Sequence, residues 1–259
     1  MRRFLVVVLA AIGPPGAAAA SRTAFPKVET GCLYERYSAS GDGGVWWANS
    51  TVPLSGTWAA LLGGESVRRF GRKDSSGLAG LSYRGEKNGG YLQLRTAPDA
   101  AVVPRFAAEG VWDQSLAKGL YIEGSLRYSD YVPARVYAQS ASLYWWPCAW
   151  AELLGKGTAS TTEFRRAAAT ANPGFLLLAN LFPRGENLRL TPSIGYYEEP
   201  FEAGSPGALN SFNAVIYHIG LGWRMGEGWE FKLDGEYESR SMHSFVRRGQ
   251  AAVAYKFRR

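Results

Sequence analysis

The chain has 259 residues and a formal net charge of +7, from 29 Lys and Arg against 22 Asp and Glu. That excess is dispersed without a long Lys/Arg run, which argues against a nucleic-acid partner, since phosphates call for a concentrated basic face. Two cysteines exclude a disulfide-built scaffold, while 31 Gly, 14 Tyr, 12 Phe and 9 Trp favour strands joined by tight turns.

Arg2 and Arg3 open the chain and an apolar run follows over residues 4–12. Gly13-Pro14-Pro15-Gly16 breaks that run, and Ala17 to Ala20 offer small residues to a signal peptidase. This is the order of a secretory signal peptide. The expected boundaries are therefore 1–20 as a cleaved signal and 21–259 as the mature domain. The run is shorter than the ~18 apolar residues of a transmembrane helix. The longest later apolar stretch, residues 175–182, carries Asn180 inside it.

Further along, residues 41–44 (Gly-Asp-Gly-Gly) and 87–90 (Lys-Asn-Gly-Gly) read as turns, and 71–76 as a longer polar connection. Residues 90–96 and 105–113 alternate apolar and polar, the signature of a half-buried strand. After a turn at 117–119, Leu120, Ile122, Gly124, Leu126 and Tyr128 oppose Tyr121, Glu123, Ser125, Arg127 and Ser129. The pattern weakens at Trp146-Pro147 and over 163–172, and 155–162 reads as a polar connection. It returns after the turn at 184–187, with Leu188, Leu190, Pro192, Ile194 and Tyr196 on one face. Beyond a long connection at 198–211, Val215, Tyr217, Ile219, Leu221 and Trp223 share a face. Past the turn at 225–228, Trp229, Phe231, Leu233, Gly235 and Tyr237 oppose Glu230, Lys232, Asp234, Glu236 and Glu238; a helix would smear those charges around every side. The last strand, 249–257, aligns Ala251, Val253, Tyr255 and Phe257.

These ribbons have the length and dyad period of tilted membrane strands. At about 20 residues per strand and connection the mature chain makes about 12 strands, with 10–14 open. The expected fold is all-β: a single transmembrane antiparallel up-and-down β-barrel. Alternation alone does not orient the faces, because a lipocalin-type barrel hides its apolar side within. Three features favour the membrane arrangement. The chain is long for a soluble eight-stranded barrel. Trp and Tyr recur near strand ends, at Trp46-Trp47, Tyr144-Trp145-Trp146, Tyr196-Tyr197 and Trp223. The final strand is aromatic, although Arg258 and Arg259 follow Phe257.

With the strands placed, the chain resembles the YaiO family of outer-membrane barrels from about Arg69 to Phe257. The resemblance rests on Arg69-Phe70-Gly71-Arg72-Lys73-Asp74, Gly90-Tyr91 leading to Ala97-Pro98-Asp99, and Val103-Pro104-Arg105. Gly119-Leu120-Tyr121, Tyr128-Ser129-Asp130-Tyr131 and Val136-Tyr137 follow in order. It implies an outer-membrane barrel of a Gram-negative-type cell with no catalytic residues to carry over. Some relatives stand beside envelope polysaccharide systems, which implies glycan export or surface assembly.

The polar face supplies the candidate site. Arg84, Arg95, Arg105, Glu109, Asp113, Glu123, Arg127, Arg189, His218, Arg224, Glu230, Lys232, Asp234 and Glu236 are expected to line the lumen, because ionised groups in hydrocarbon cost several kcal/mol each. Such a wall either closes on itself through ion pairs or forms a conduit tuned by charge. His218 and His243 are the two histidines. Ser241 and His243 share strand parity and raise a membrane-embedded lipid hydrolase as an alternative. A third reading is a structural or adhesive barrel acting through residues 198–210. Cys32 and Cys148 are expected on opposite walls and unpaired. No catalytic residue, cofactor or metal site is expected. Expected partners are outer-membrane lipid, the barrel-insertion machinery through the C-terminal strand, and envelope polysaccharide.

Overall fold

The computed structural model describes residues 26–38, 41–165, 169–202, 209–241 and 244–257. The expected signal segment 1–20, Met242, His243, Arg258 and Arg259 lie outside the described residues. Fourteen antiparallel strands close into one barrel, each paired with its sequence neighbours. They are β1 (Lys27–Tyr37), β2 (Gly41–Pro53), β3 (Trp58–Arg69), β4 (Arg72–Arg84), β5 (Asn88–Thr96), β6 (Phe106–Ala117), β7 (Leu120–Asp130), β8 (Ala134–Cys148), β9 (Ala151–Phe164) and β10 (Thr170–Leu181). A four-residue strand, β11 (Pro183–Glu186), lies in a connection outside the barrel order. The wall continues with β12 (Leu188–Glu202), β13 (Leu209–Met225), β14 (Trp229–Arg240) and β15 (Ser244–Lys256). The last strand then pairs with the first, from Lys27 opposite Lys256 to Tyr37 opposite Val246. Beyond that ladder the Phe257 N–H donates to the Pro26 carbonyl at 2.9 Å.

Closure satisfies the backbone of every strand inside the wall and leaves no sheet edge, which a structure in hydrocarbon requires. Side-chain period then divides the residues between two surfaces. On β14, Trp229, Phe231, Leu233 and Tyr237 are exposed, whereas Lys232, Glu238 and Arg240 are buried. The charged set faces inward, as shown by ion pairs that skip a strand. Glu29 of β1 meets Lys232 of β14 at 3.0 Å, across β15. Glu35 of β1 meets Arg69 of β3 at 2.5 Å, across β2. Only on the concave side do side chains of next-but-one strands converge.

The outward set forms aromatic clusters at both rims. At the rim carrying the described chain ends, Trp58 packs on Tyr83 at 5.1 Å and Trp229 on Tyr255 at 4.8 Å. At the opposite rim Tyr128 bridges Phe106 and Tyr137 at 6.3 and 5.2 Å. Amphipathic rings at two levels bracket an apolar band, as at membrane interfaces. Each aromatic doublet of the sequence is split by the pleat. Trp46 and Trp145 are exposed outside, while Trp47 packs inward against Val45 and Val67, and Tyr144 is buried among Leu154 and Leu178.

Several connections read from the sequence are strand. Fourteen strands stand where about 12 were expected, because polar stretches pair fully. Residues 155–162 lie within β9, where Lys156, Thr158, Ser160 and Thr162 take the inward register. Residues 71–76 shrink to a turn at Phe70 and Gly71, with φ of 53° and 72°, before β4. Two successive positive φ values match the right-handed twist of a tight hairpin, and Gly71 takes that conformation without strain. Residues 41–44 begin β2. The stretch 198–211 is largely the end of β12 and the start of β13, so a raised hairpin replaces the expected long loop; residues 203–208 are outside the described set. Pro147 sits where the β8–β9 register shifts between Trp145 and Cys148.

Cys32 lies on β1 and Cys148 at the end of β8, seven strands apart in a ring of fourteen, and both thiols are free. The protein purified without reductant should therefore migrate identically on reducing and non-reducing gels. After unfolding, both thiols should react with maleimide; a single bridged pair would contradict the placement.

Candidate lumen site

Thirteen of the fourteen residues expected in the lumen occupy inward strand positions. Arg84 pairs with Asp113 at 3.1 Å, and Arg95 pairs with Glu65, which also accepts from the Ser76 hydroxyl at 3.1 Å. Glu109 accepts from the Gln93 amide at 2.7 Å and Glu123 from the Tyr144 hydroxyl at 3.2 Å. Around the other wall Arg189 approaches Glu230 at 3.9 Å, Arg224 pairs with Glu186 at 2.7 Å, and His218 meets Asp234 at 3.2 Å. Glu236 pairs with Arg248. Arg105 differs: it precedes β6 in the β5–β6 connection and is exposed, its N–H donating to the Asp130 carbonyl at 2.8 Å. Reading alternation from residue 105 carried the strand one position past its end.

Two features of the interior were not visible as motifs. The first is a sealed ionic cluster at the rim opposite the described chain ends. Glu35, fully buried, accepts from Arg69 Nε at 2.5 Å and Nη2 at 3.0 Å, and from Arg248 Nε at 3.2 Å. Arg248 also lies 2.7 Å from Glu238, which pairs with Arg240, and Arg240 lies over the Phe212 ring at 4.5 Å. Tyr37, Phe70 and Val246 pack together beside it. Buried charges persist only when paired and hydrogen-bonded. This cluster joins β1, β3, β14 and β15 from within, on both sides of the closing seam.

The second feature is the β5–β6 connection, residues 97–105, which folds into the barrel. Ala97, Ala100 and Val103 are buried against Val45 and Val67, inward residues of β2 and β3, with Leu33 and Trp47 alongside. Asp74, inward on β4, anchors it by accepting the backbone N–H groups of Ala101, Val102 and Val103 at 3.0, 2.6 and 2.9 Å. A carboxylate receiving three successive amides satisfies donors that an infolded loop would otherwise leave orphaned. The motif Lys73-Asp74 and the small residues of 97–103 were in view, but nothing local to either reports their contact.

The opposite wall, β7 to β10, is rich in hydroxyls. Ser125 and Ser140 are hydrogen-bonded at 2.6 Å, and Lys156, Thr158 and Ser160 continue this hydroxyl-rich surface, all half-buried. Among the described residues Arg127 and Lys156 enter no ion pair within 4 Å. Nearer the other rim Tyr121, Tyr144, Leu154, Leu176 and Leu178 make an apolar patch inside the barrel. The Ser241 hydroxyl accepts the Asn213 N–H at 3.1 Å, a turn contact just past β14. No group of three or more His, Cys, Asp or Glu side chains converges for a metal among the described residues.

No family model matches the chain, and no curated protein matches it either. Solved structures do. A bacterial polysaccharide outer membrane secretin aligns with TM-score 0.62 at 11% identity, over 93% of this chain and 100% of that one. The CymD monoaromatic hydrocarbon channel aligns with TM-score 0.62 at 6% identity, over 93% and 90%. A loop L8 deletion mutant of OmpT, an outer membrane protein of Vibrio cholerae, aligns with TM-score 0.52 at 7% identity, over 90% and 98%. This chain has the fold of outer-membrane β-barrels. At such identities the likeness concerns the fold alone.

Proposed function

We propose that the protein is a passive outer-membrane conduit for polar solutes, saccharides in particular, working without cofactor or turnover. The observation that carries this reading is the asymmetric interior: a sealed ionic wall and an infolded segment on one side, and on the other a half-buried hydroxyl wall with Arg127 and Lys156, which enter no ion pair among the described residues. Hydroxyls, with cations that enter no ion pair among the described residues, suit a passing sugar, which exchanges hydrogen bonds with the wall in place of water. A polysaccharide outer membrane secretin among the structures of similar fold, and the resemblance to the YaiO family, support the saccharide class. The reading includes export by a cleaved signal at 1–20 and insertion by the barrel-assembly machinery through β15, with envelope polysaccharide as a partner.

In a planar bilayer the refolded protein should give discrete, salt-dependent conductance steps. Arg127→Ala should shift ion selectivity towards cations and Glu123→Ala towards anions; unchanged permeation in both variants would sink the channel reading. Vesicles carrying the protein should swell in neutral oligosaccharides faster than empty ones. Unheated samples from outer membranes should run faster on SDS gels than boiled samples. Recovery solely from the soluble periplasm would defeat the location.

A further inference from the structure

We infer that the outer wall around the β1–β15 seam binds a phosphorylated glycolipid of the lipid A class, with two headgroup phosphates on a basic arc and an acyl chain in the groove below it. The inference rests on the outer-membrane reading above and adds a specific ligand to it.

The groove comes first. On the outer surface the belt of large apolar side chains is interrupted across β13, β14, β15 and β1. Gly235, Gly249, Ala251 and Cys32 leave a depression of about 610 Å³ between Ile219, Leu233 and Tyr34. Its lining is apolar and faces the band that hydrocarbon covers, where a groove without contacting atoms forfeits dispersion. A flexible chain fills such a trough better than a flat protein face would.

Charge decides which chain. One outward step above Tyr34 and Gly249, about 7 Å along the strands, stand Arg36 and Arg247, facing each other across the seam. Both are exposed and outward, as are Arg68 on β3 and Lys73 on β4, which are paired in the ladder. None of the four enters an ion pair within 4 Å among the described residues. Arg247 rests against the rings of Phe245 and Tyr237 at 5.0 and 6.0 Å, which holds its guanidinium along the wall. Asp42, opposite Arg36 on β2, is the acid of this patch. Elsewhere on the same rim Asp130 pairs with Arg135 at 3.7 Å and with Arg165 at 3.4 Å, which takes those two cations out of play. From β15 to β4 the arc spans four strand spacings, about 19 Å. That width suits a headgroup with two separated phosphates better than a single phosphodiester. Guanidinium forks match phosphate oxygens, and desolvation near the interface strengthens the contact.

The test uses the full refolded barrel in detergent, titrated with bisphosphorylated lipid A, monophosphorylated lipid A and phosphatidylglycerol, and read by native mass spectrometry. Faster migration of the unheated protein first establishes folding, so a failure of the barrel reading is separable from a failure of lipid binding. The wild type should retain bisphosphorylated lipid A most tightly, then the monophosphorylated form, then phosphatidylglycerol. The double variant Arg36→Gln, Arg247→Gln, altered only at exposed positions, should lose at least tenfold of that preference. Gly249→Phe should weaken all three lipids by filling the groove. Equal binding of the three lipids by the wild type, or an unchanged preference in the double arginine variant, overturns the headgroup site. Undiminished binding by folded Gly249→Phe overturns the acyl groove.

Discussion

Replacing Asp74 with Ala should raise single-channel conductance several-fold while the barrel stays closed. The segment 97–105 is held inside by one carboxylate receiving the amides of Ala101, Val102 and Val103, and by the burial of three small side chains. Loss of the carboxylate strands those amides away from water, at about 1–3 kcal/mol for each unsatisfied donor. Ala97, Ala100 and Val103 offer too little apolar area to offset that. Their removal from water amounts to no more than ~1–3 kcal/mol for the largest of them. The segment should therefore leave the lumen for solvent beyond the rim, and its strands β5 and β6 keep their own ladders. Conductance measured beside Asp74→Asn separates charge from anchoring, because the amide oxygen still accepts while the charge is gone. An Asp74→Ala protein with wild-type conductance would mean that the segment does not limit the path.

Removal of Arg248 carries the largest expected loss of stability. Its guanidinium serves Glu35, Glu236 and Glu238 together, two of which are fully buried. Arg248→Ala takes the ion-pair partner from Glu236 and leaves Glu35 to Arg69 and Glu238 to Arg240 alone, and breaking a buried ion pair from one side costs about 3–5 kcal/mol. Unfolding in urea from detergent micelles should shift to markedly lower denaturant, and the gel-shift midpoint on heating should fall with it. Arg135→Ala supplies the contrast, since its pairing with Asp130 at the outer rim is half exposed and worth about 0–1 kcal/mol. Equal losses from both variants would show that the cluster is an incidental set of pairs, without a structural role at the seam.

The fold was legible wherever one face of a strand is apolar and the other charged. Residues 229–238 and 120–129 fall inside β14 and β7 with the faces read correctly. Where that contrast fails, the strands were hidden. In β10, Leu176 and Leu178 point inward to the apolar patch around Tyr144 while Phe175 and Leu177 point outward, so no alternation remains to be seen. In β9 the lipid-facing positions include Gly155, Gly157 and Ala159, and the stretch reads as a connection although its ladder is complete. The count of about 12 rests on an average of ~20 residues per strand and connection, and the connections are shorter than that average allows. The inward strand positions of the candidate residues follow from the same parity as the strands. Their partners do not, because Glu35 and Arg248 are 213 residues apart in sequence and meet only through closure of the ring. The infolding of residues 97–105 depends likewise on Asp74, a residue from a different hairpin.

The pairing of β1 with β15 makes the wall a loop in which the position of the chain ends is arbitrary. Lys27 and Lys256 are Cα partners, and Phe257 reaches Pro26, so a short linker could join them. New ends cut at the turn between Lys118 and Gly119, on the same rim, would leave every ladder intact. Such a circular permutant would move the aromatic strand β15 into the middle of the chain while the ring of ladders stays the same. Ring closure and strand order are thus properties of different kinds: one belongs to the wall, the other to where the wall is opened.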